Sequence, residues 1–180
     1  TGASYGQLDL DRILLALNYD VSTQQLVVER KGLAAIEHYL VVRSFMYAQI
    51  YNHPKNLSAT WILSQAFTRA RELLKRGDIE ADDIVTAWLT GPVDELPLET
   101  YLAGDDVVFA YHLQRWQHHS DPALSDFCRR YLNRRLLKVR ELTYATEDER
   151  ESLLSNVQQQ LAADGVEFNR YSGLCHIWSK

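Results

Sequence analysis

Cysteine is nearly missing from this 180-residue chain: Cys128 and Cys175 are the only two, far apart and without a CxxC spacing. That excludes a disulfide framework and a cysteine-built zinc site. Long apolar runs are missing too, since no stretch approaches the roughly 20 residues a membrane-spanning helix needs. No charged, apolar and small-residue succession resembles a signal peptide, so the expected location is the cytoplasm. Positive charge is in deficit, with 19 Lys and Arg against 24 Asp and Glu, for a net charge of −5 and a pI near 5.7. This excludes a broad electrostatic footprint on nucleic acid or an anionic membrane, while leaving room for a local basic pocket that holds a small anion. The chain also lacks an initiator Met, and its opening TGASYG suggests a piece of a longer protein.

What is present is ordinary globular composition, 46% hydrophobic and 24% charged, with no internal repeat and no low-complexity tract. It is enough for one core and a small annex. Asp9 is placed to cap a short helix bearing Ile13, Leu14 and Leu17, and NYDVSTQQLVVE then reads as two short strands around a turn at Ser22 to Gln25. From Lys31 to His53 the period is helical and apolar on nearly every side, which predicts a central helix buried among others, ended or kinked by Pro54. A second long helix is expected from roughly Leu57 to Lys75, with Gly77 beyond it, and a short one after Asp82 and Asp83, stopped by Gly91 and Pro92. Two more are expected over Val107 to Gln117 and Pro122 to Leu136. Beyond Lys138, LLKVRELTY reads as a strand, EDERESLLSNVQQQLAADG as a helix ending at Gly165, and VEFNRY and GLCHIWS as strands, giving a β-α-β-β unit.

The stretch EHYLVVRSFMYAQIYNH, residues 37–53, carries the sharpest chemical signal. On a helix Tyr39, Arg43, Tyr47 and Tyr51 fall at i, i+4, i+8 and i+12, so a guanidinium sits inside an aromatic stripe. If buried, it needs an anion, because an unpaired buried charge costs several kcal/mol. A carboxylate from a neighbouring helix satisfies that need, and so does a phosphate, whose oxygens match the planar guanidinium fork. Tyr47 and Tyr51 offer flat faces and hydroxyls for a sugar or base, and Asn52 and His53 close the helix, with Lys55 just outside.

Other groups read more simply. Asp105 and Asp106 precede an amphipathic helix as an N-cap with favourable dipole charges rather than as an acid pair. His112, His118 and His119 lack companions at metal-ligand spacing. Arg129, Arg130, Arg134 and Arg135 form a positive helical face suited to solvent or a partner helix.

The ordered blocks TGASYGQLDLDRIL, QLVVERKGLAAIEHYLVVRSFMYAQIYNH, YLAGDDVVFAYHL and FCRRYLNRRLLKV resemble the HD-domain phosphohydrolases of the deoxynucleoside triphosphate triphosphohydrolase type. The resemblance runs from Thr1 to about Val139 and is strongest over residues 1–53. It implies a mainly α fold in which residues 1–137 form the C-terminal helical portion of an HD phosphohydrolase domain and residues 138–180 a small, incomplete α/β subdomain. In that family a histidine, an adjacent His-Asp pair and a later aspartate hold a divalent metal ion upstream of the matching segment. This chain has no His-Asp dipeptide, so the resemblance implies no catalytic or metal-binding residue here and no activity for the fragment alone. It implies a triphosphate contact for Arg43, a deoxyribose contact for Tyr51, a place near the phosphates for Tyr47, and pocket-rim positions for Asn52 and His53. Asp9, Arg12 and Lys31 match positions where some relatives bind an activating nucleotide between subunits. Pro54 departs from the family, which often has a basic residue there. The parent protein is thus expected to be a homo-oligomeric, metal-dependent hydrolase releasing deoxynucleoside and tripolyphosphate. Two alternatives stand beside it: an HD phosphohydrolase for another phosphorylated nucleotide, and a helical regulatory or assembly module without chemistry.

Overall fold

The computed structural model describes residues 8–166 and 168–173. Its contacts gather into two compact units that divide between His53 and Pro54, inside the segment the sequence assigns to one helical portion.

The first unit begins with α1 (Leu10–Ala16), capped as expected by Asp9, whose carboxylate accepts from Arg12 N at 3.1 Å. The expected hairpin follows: β1 (Leu17–Asp20) pairs antiparallel with β2 (Gln25–Val28), Leu17 opposite Val28 and Asp20 opposite Gln25. Asp20 holds the turn by accepting from Ser22 N at 2.9 Å and Ser22 Oγ at 2.6 Å. These bonds from Ser22 keep its carboxyl below the usual range. A 3-10 turn, Arg30–Gly32, leads into α2 (Leu33–Met46). Gly32 is required there by close approach, since a Cβ on it would strike the Cβ of buried Ala16.

After Met46 the helix widens into a π turn, Tyr47–Tyr51. Asn52 N donates to Tyr47 O, five residues back, at 2.9 Å. Pro54 has no N–H to continue the ladder and disfavours a helical conformation at His53, so the helix ends there.

One expectation about this helix is corrected. Only Val42 of α2 is buried, while Leu40, Val41 and Phe45 are about half exposed. Within its unit α2 meets α1, the 3-10 turn and its own π turn, too little to enclose it. An all-round apolar helix reports a need for cover, not the cover itself.

The second unit begins with α3 (Pro54–Arg76), which Pro54 opens at a position where its missing N–H costs nothing. It starts three residues before the expected Leu57 and stops at Gly77, whose φ of 74° is the left-handed conformation of a helix terminator. There follow α4 (Asp83–Thr90), α5 (Leu98–Ala103), α6 (Asp106–Trp116), α7 (Pro122–Leu132), α8 (Glu147–Ala163) and α9 (Phe168–Tyr171). Asp82, Asp105 and Asp121 cap α4, α6 and α7, and Thr146 with Glu149 forms a reciprocal capping box on α8.

The core of this unit lies among α3, α4, α6 and α7. Ile62, Ala66, Ala70 and Leu73 line one stripe of α3 and pack with Val85, Leu113, Leu124 and Phe127. Ala66 and Ala70 have no exposed surface, so small side chains let α7 approach α3 closely. Cys128 is enclosed in the same core, and burial pushes its thiol up to about 12. Beside the core, Arg69 joins Glu72 and Asp121 at 2.6 Å each, and Arg170 reaches Glu72 at 3.0 Å. Tyr171 stacks on Phe127 with centroids 4.6 Å apart and donates to Asp126 at 2.7 Å. Trp61 Nε1 donates to Arg170 O at 3.2 Å, so α9 is fastened to α3 and α7.

The expected β-α-β-β unit is also corrected. Residues 136–144 form no strand; Leu136 and Leu137 instead lay their side chains on the core from irregular backbone. VEFNRY contributes α9 rather than a strand, and GLCHIWS lies outside the described residues except for Gly173. The helix ending near Gly165 is present as α8. Likewise α7 stops at Leu132 rather than Leu136, with Arg134 at φ 52° breaking the helix. Among the described residues the strands are β1 and β2, so the fold is largely helical with one small sheet.

Candidate functional site

Arg43 is the centre of a ladder that runs along one face of α2 and into the π turn. Its Nη1 donates to the Tyr39 hydroxyl at 3.2 Å. Its Cζ lies 5.5 Å from the centroid of the Tyr47 ring, within cation–π reach. Tyr47 and Tyr51 continue the ladder with centroids 5.1 Å apart and rings tilted by 53°. The hydroxyl of Tyr39, then that of Tyr47, raise the already high pKa of the guanidinium, so it is a permanent cation.

Arg43 is exposed rather than buried against an acid, and among the described residues no carboxylate forms an ion pair with it. Its charge therefore remains available, oriented by two tyrosines rather than consumed by an acid. Tyr47 and Tyr51 are 40% and 52% exposed, leaving aromatic surface for a flat partner. Asn52 is half-buried and its backbone N–H closes the π turn, whereas His53 is exposed and its N–H donates to Ile50 O at 3.3 Å.

Two parts of this arrangement go beyond the five residues expected to bind substrate. Tyr39 holds the guanidinium; it stands four residues before Arg43 in the aromatic stripe, and that spacing is the signal that finds it. The π turn adds a residue to the helical repeat at the Tyr47–Tyr51 pair, a distortion that recurs at functional sites. No residue pattern announces it.

The second expected group has ordinary local roles. Asp9 is spent on the cap of α1, Lys31 pairs with Glu29 at 2.7 Å, and Arg12 is exposed on the helix that Asp9 caps. A hollow of about 350 Å³ is lined by Asp106, Val107, Ala110, Tyr111 and Gln114, none of them among the expected site residues.

His112 and His119 have structural partners. His112 is 1% exposed with Nε2 2.8 Å from Asp82 Oδ2, and His119 bridges Asp78 O and Asp121 N. Burial tends to raise the Asp82 carboxyl, but bonds from Val85 N and His112 outweigh it and leave the pKa lowered. Among the described residues no group of three His, Cys, Asp or Glu could hold a metal ion, so these side chains do not fit the divalent ion that the resemblance implies.

Comparison with known proteins places this geometry among relatives. Residues 8–87 match the model of the HD associated region, a span that contains the whole Arg43 ladder. The uncharacterized protein YwfO of Bacillus subtilis is 36% identical over 141 residues, which cover 78% of this chain and 32% of that protein. The uncharacterized protein MJ1154 of Methanocaldococcus jannaschii is 37% identical over 68 residues, 37% of this chain and 15% of that one. Among solved structures, a phosphohydrolase of Bacteroides thetaiotaomicron, BT4208, matches with a TM-score of 0.73 and 28% identity over 95% of this chain and 44% of that one. The chain thus spans about a third of the B. subtilis relative and under half of the solved phosphohydrolase, and its fold is related to the HD-associated and phosphohydrolase families.

Proposed function

We propose that this chain is the substrate-holding portion of a longer metal-dependent phosphohydrolase acting on deoxynucleoside triphosphates. The observation that carries the proposal is Arg43: exposed, permanently charged, oriented by Tyr39 and Tyr47, and without a carboxylate partner among the described residues. A planar guanidinium held in that way is suited to bind phosphate oxygens through paired N–H donors. Tyr51 would lie along the deoxyribose and Tyr47 between sugar and phosphate chain, with Asn52 and His53 at the rim.

In this reading the residues bind and orient. Arg43 offsets negative charge on the phosphate chain as it builds up, and the tyrosine faces fix the nucleoside so that the scissile bond is held in line. A divalent ion would supply the activated water, and in this reading its ligands come from outside the described residues, among which no grouping fits it. Asp9, Arg12 and Lys31 are not needed for this reading; Asp9 caps α1 and Lys31 pairs with Glu29.

The test is hydrolysis of a panel of deoxynucleoside and ribonucleoside triphosphates by the full-length protein with added divalent metal, beside Arg43→Ala. Release of tripolyphosphate from deoxynucleotides, falling about 100-fold or more in the variant, supports the proposal. Hydrolysis of a different phosphorylated nucleotide with the same dependence on Arg43 moves the substrate class and keeps the site. No turnover of any of them by folded, metal-loaded protein overturns it in favour of a module without chemistry.

A further inference from the structure

The ties that hold the C-terminal stretch of the second unit gather in residues 168–173. Beyond Leu136 and Leu137, which lie on the core, residues 138–145 run as irregular backbone, exposed except at Leu142 and Ala145, with Tyr144 96% exposed. They lead into α8, 17 residues and roughly 25 Å of helix. No residue of α8 is buried, and none of its apolar side chains belongs to the core or packs against it. Leu153, Leu154, Val157 and Leu161 are half-buried, and the helix that α8 meets is α9. At the joint Gly165 has a φ of 69° and Val166 N donates back to Leu161 O at 2.8 Å, so α8 turns directly into α9.

There the chain is held closely. Tyr171 and Arg130 share Asp126 Oδ2 at 2.7 Å each, and the guanidinium carbon of Arg130 lies 5.6 Å from the Tyr171 ring centroid while that ring stacks on Phe127. Arg170 gives its side chain to Glu72 and its carbonyl to Trp61. Gly173 comes so near Trp61 that a Cβ on it would strike the indole ring. A single helical turn does not persist in water by itself, so α9 exists because it is docked.

We infer that residues 138–173 form a hinged arm: 138–145 are its hinge, α8 is its rod, and 168–173 are a clasp that lets go of α3 and α7 in one step while the core stays folded. The separation of the two openings follows from where the contacts are. Releasing the arm loses those of the clasp alone, because α8 buries nothing in the core, whereas global unfolding loses the whole of the α3, α4, α6 and α7 packing. Release bares Trp61 and the face of Phe127 on which Tyr171 lies.

Amide hydrogen exchange of the full-length protein, read by mass spectrometry, tests this with two variants that weaken the clasp for different reasons. Tyr171→Ala removes the stack on Phe127 and the bond to Asp126, and Gly173→Ala sets a methyl against Trp61. In the parent, α8 and α9 should exchange faster than α3 and α7. Each variant should raise exchange in α8 and α9 together, by about tenfold or more, with α3, α4 and α6 unchanged. Circular dichroism melts identify a variant that fails to fold, and Tyr171→Phe, which keeps the ring and loses the bond to Asp126, then replaces Tyr171→Ala with a smaller rise expected. Three results would overturn the inference. Exchange in α8 as slow as in α3 would mean that the arm does not open, and α8 unmoved by either variant would mean that the clasp does not hold it. An equal rise in α3 and α6 would make residues 168–173 an inseparable part of the core.

Discussion

Asp121 serves two structures with one carboxylate: it accepts from Leu124 N at 2.9 Å as the cap of α7 and holds Arg69 of α3, with Nη2 at 2.6 Å. The pair is largely buried, at 17% and 12% side-chain exposure, so α3 and α7 are pinned together where α7 begins. Removing the carboxylate loses a helix cap and leaves the Arg69 guanidinium with Glu72 as its one remaining acid among the described residues. Asp121→Ala should therefore destabilise the second unit by on the order of 3 kcal/mol, measured by denaturant unfolding.

The same carboxylate sets a pH dependence. The bonds from Arg69 hold the Asp121 pKa below its ordinary value, and those from Arg69 and Arg170 do so for Glu72 against the opposing effect of burial. A depressed folded pKa means stability that is fully present above the unfolded value, about 4, and lost as pH falls through the lower folded value. Melting temperature should be flat from neutral pH to about 5 and drop below about 4, and Asp121→Asn should flatten that drop.

His112 and Asp82 give a second double contact, because Asp82 caps α4 through Val85 N at 2.8 Å while meeting His112 Nε2. Asp82→Ala should cost about 2 kcal/mol, leaving a buried imidazole nitrogen unpaired. Asp82→Asn, which keeps a cap and a hydrogen-bonding partner, should cost less than half of that in the same unfolding measurement.

Gly32→Ala should loosen the first unit, because the added methyl must displace Ala16. Overpacking of this kind costs about 1–3 kcal/mol. Amide hydrogen exchange should show faster exchange in α1 and α2, with the core helices of the second unit unchanged.

Tyr39→Phe tests how Arg43 is positioned. The hydroxyl is on the surface of a helix and its loss should leave the melting temperature unchanged. Freed from Tyr39, the guanidinium would sample more rotamers, so KM for a nucleotide substrate should rise several-fold with kcat less affected. Arg43→Lys should not restore activity, since an ammonium lacks the fork and stacks less well on Tyr47.

What the sequence displayed clearly was local chemistry. Asp9 and Asp105 cap helices, and Gly77 and Gly165 end them, because a cap or a left-handed turn depends on the few residues around it. The hairpin at Ser22 was legible for the same reason. The strands expected in LLKVRELTY and VEFNRY were not there, because a short apolar run shows that side chains will be covered but not what backbone will carry them. Leu136 and Leu137 reach the core from irregular chain, and Tyr171 does so from a single helical turn. The ladder residues Arg43, Tyr47 and Tyr51 followed from helical spacing, whereas the exposure of α2 depends on what surrounds it and the π turn on how the chain relaxes ahead of Pro54.

Cys128 turns the core into a clock. A thiol with no exposed surface and a pKa near 12 is almost never a reachable thiolate, so an alkylating reagent at pH 8 can modify it only while α3 and α7 are apart. In a Cys175→Ser background the labelling rate then equals the intrinsic thiol rate multiplied by the fraction of time the core is open. One sulfur atom would report, in minutes or hours of reagent exposure, the opening equilibrium that the Asp121 and Asp82 substitutions are expected to shift.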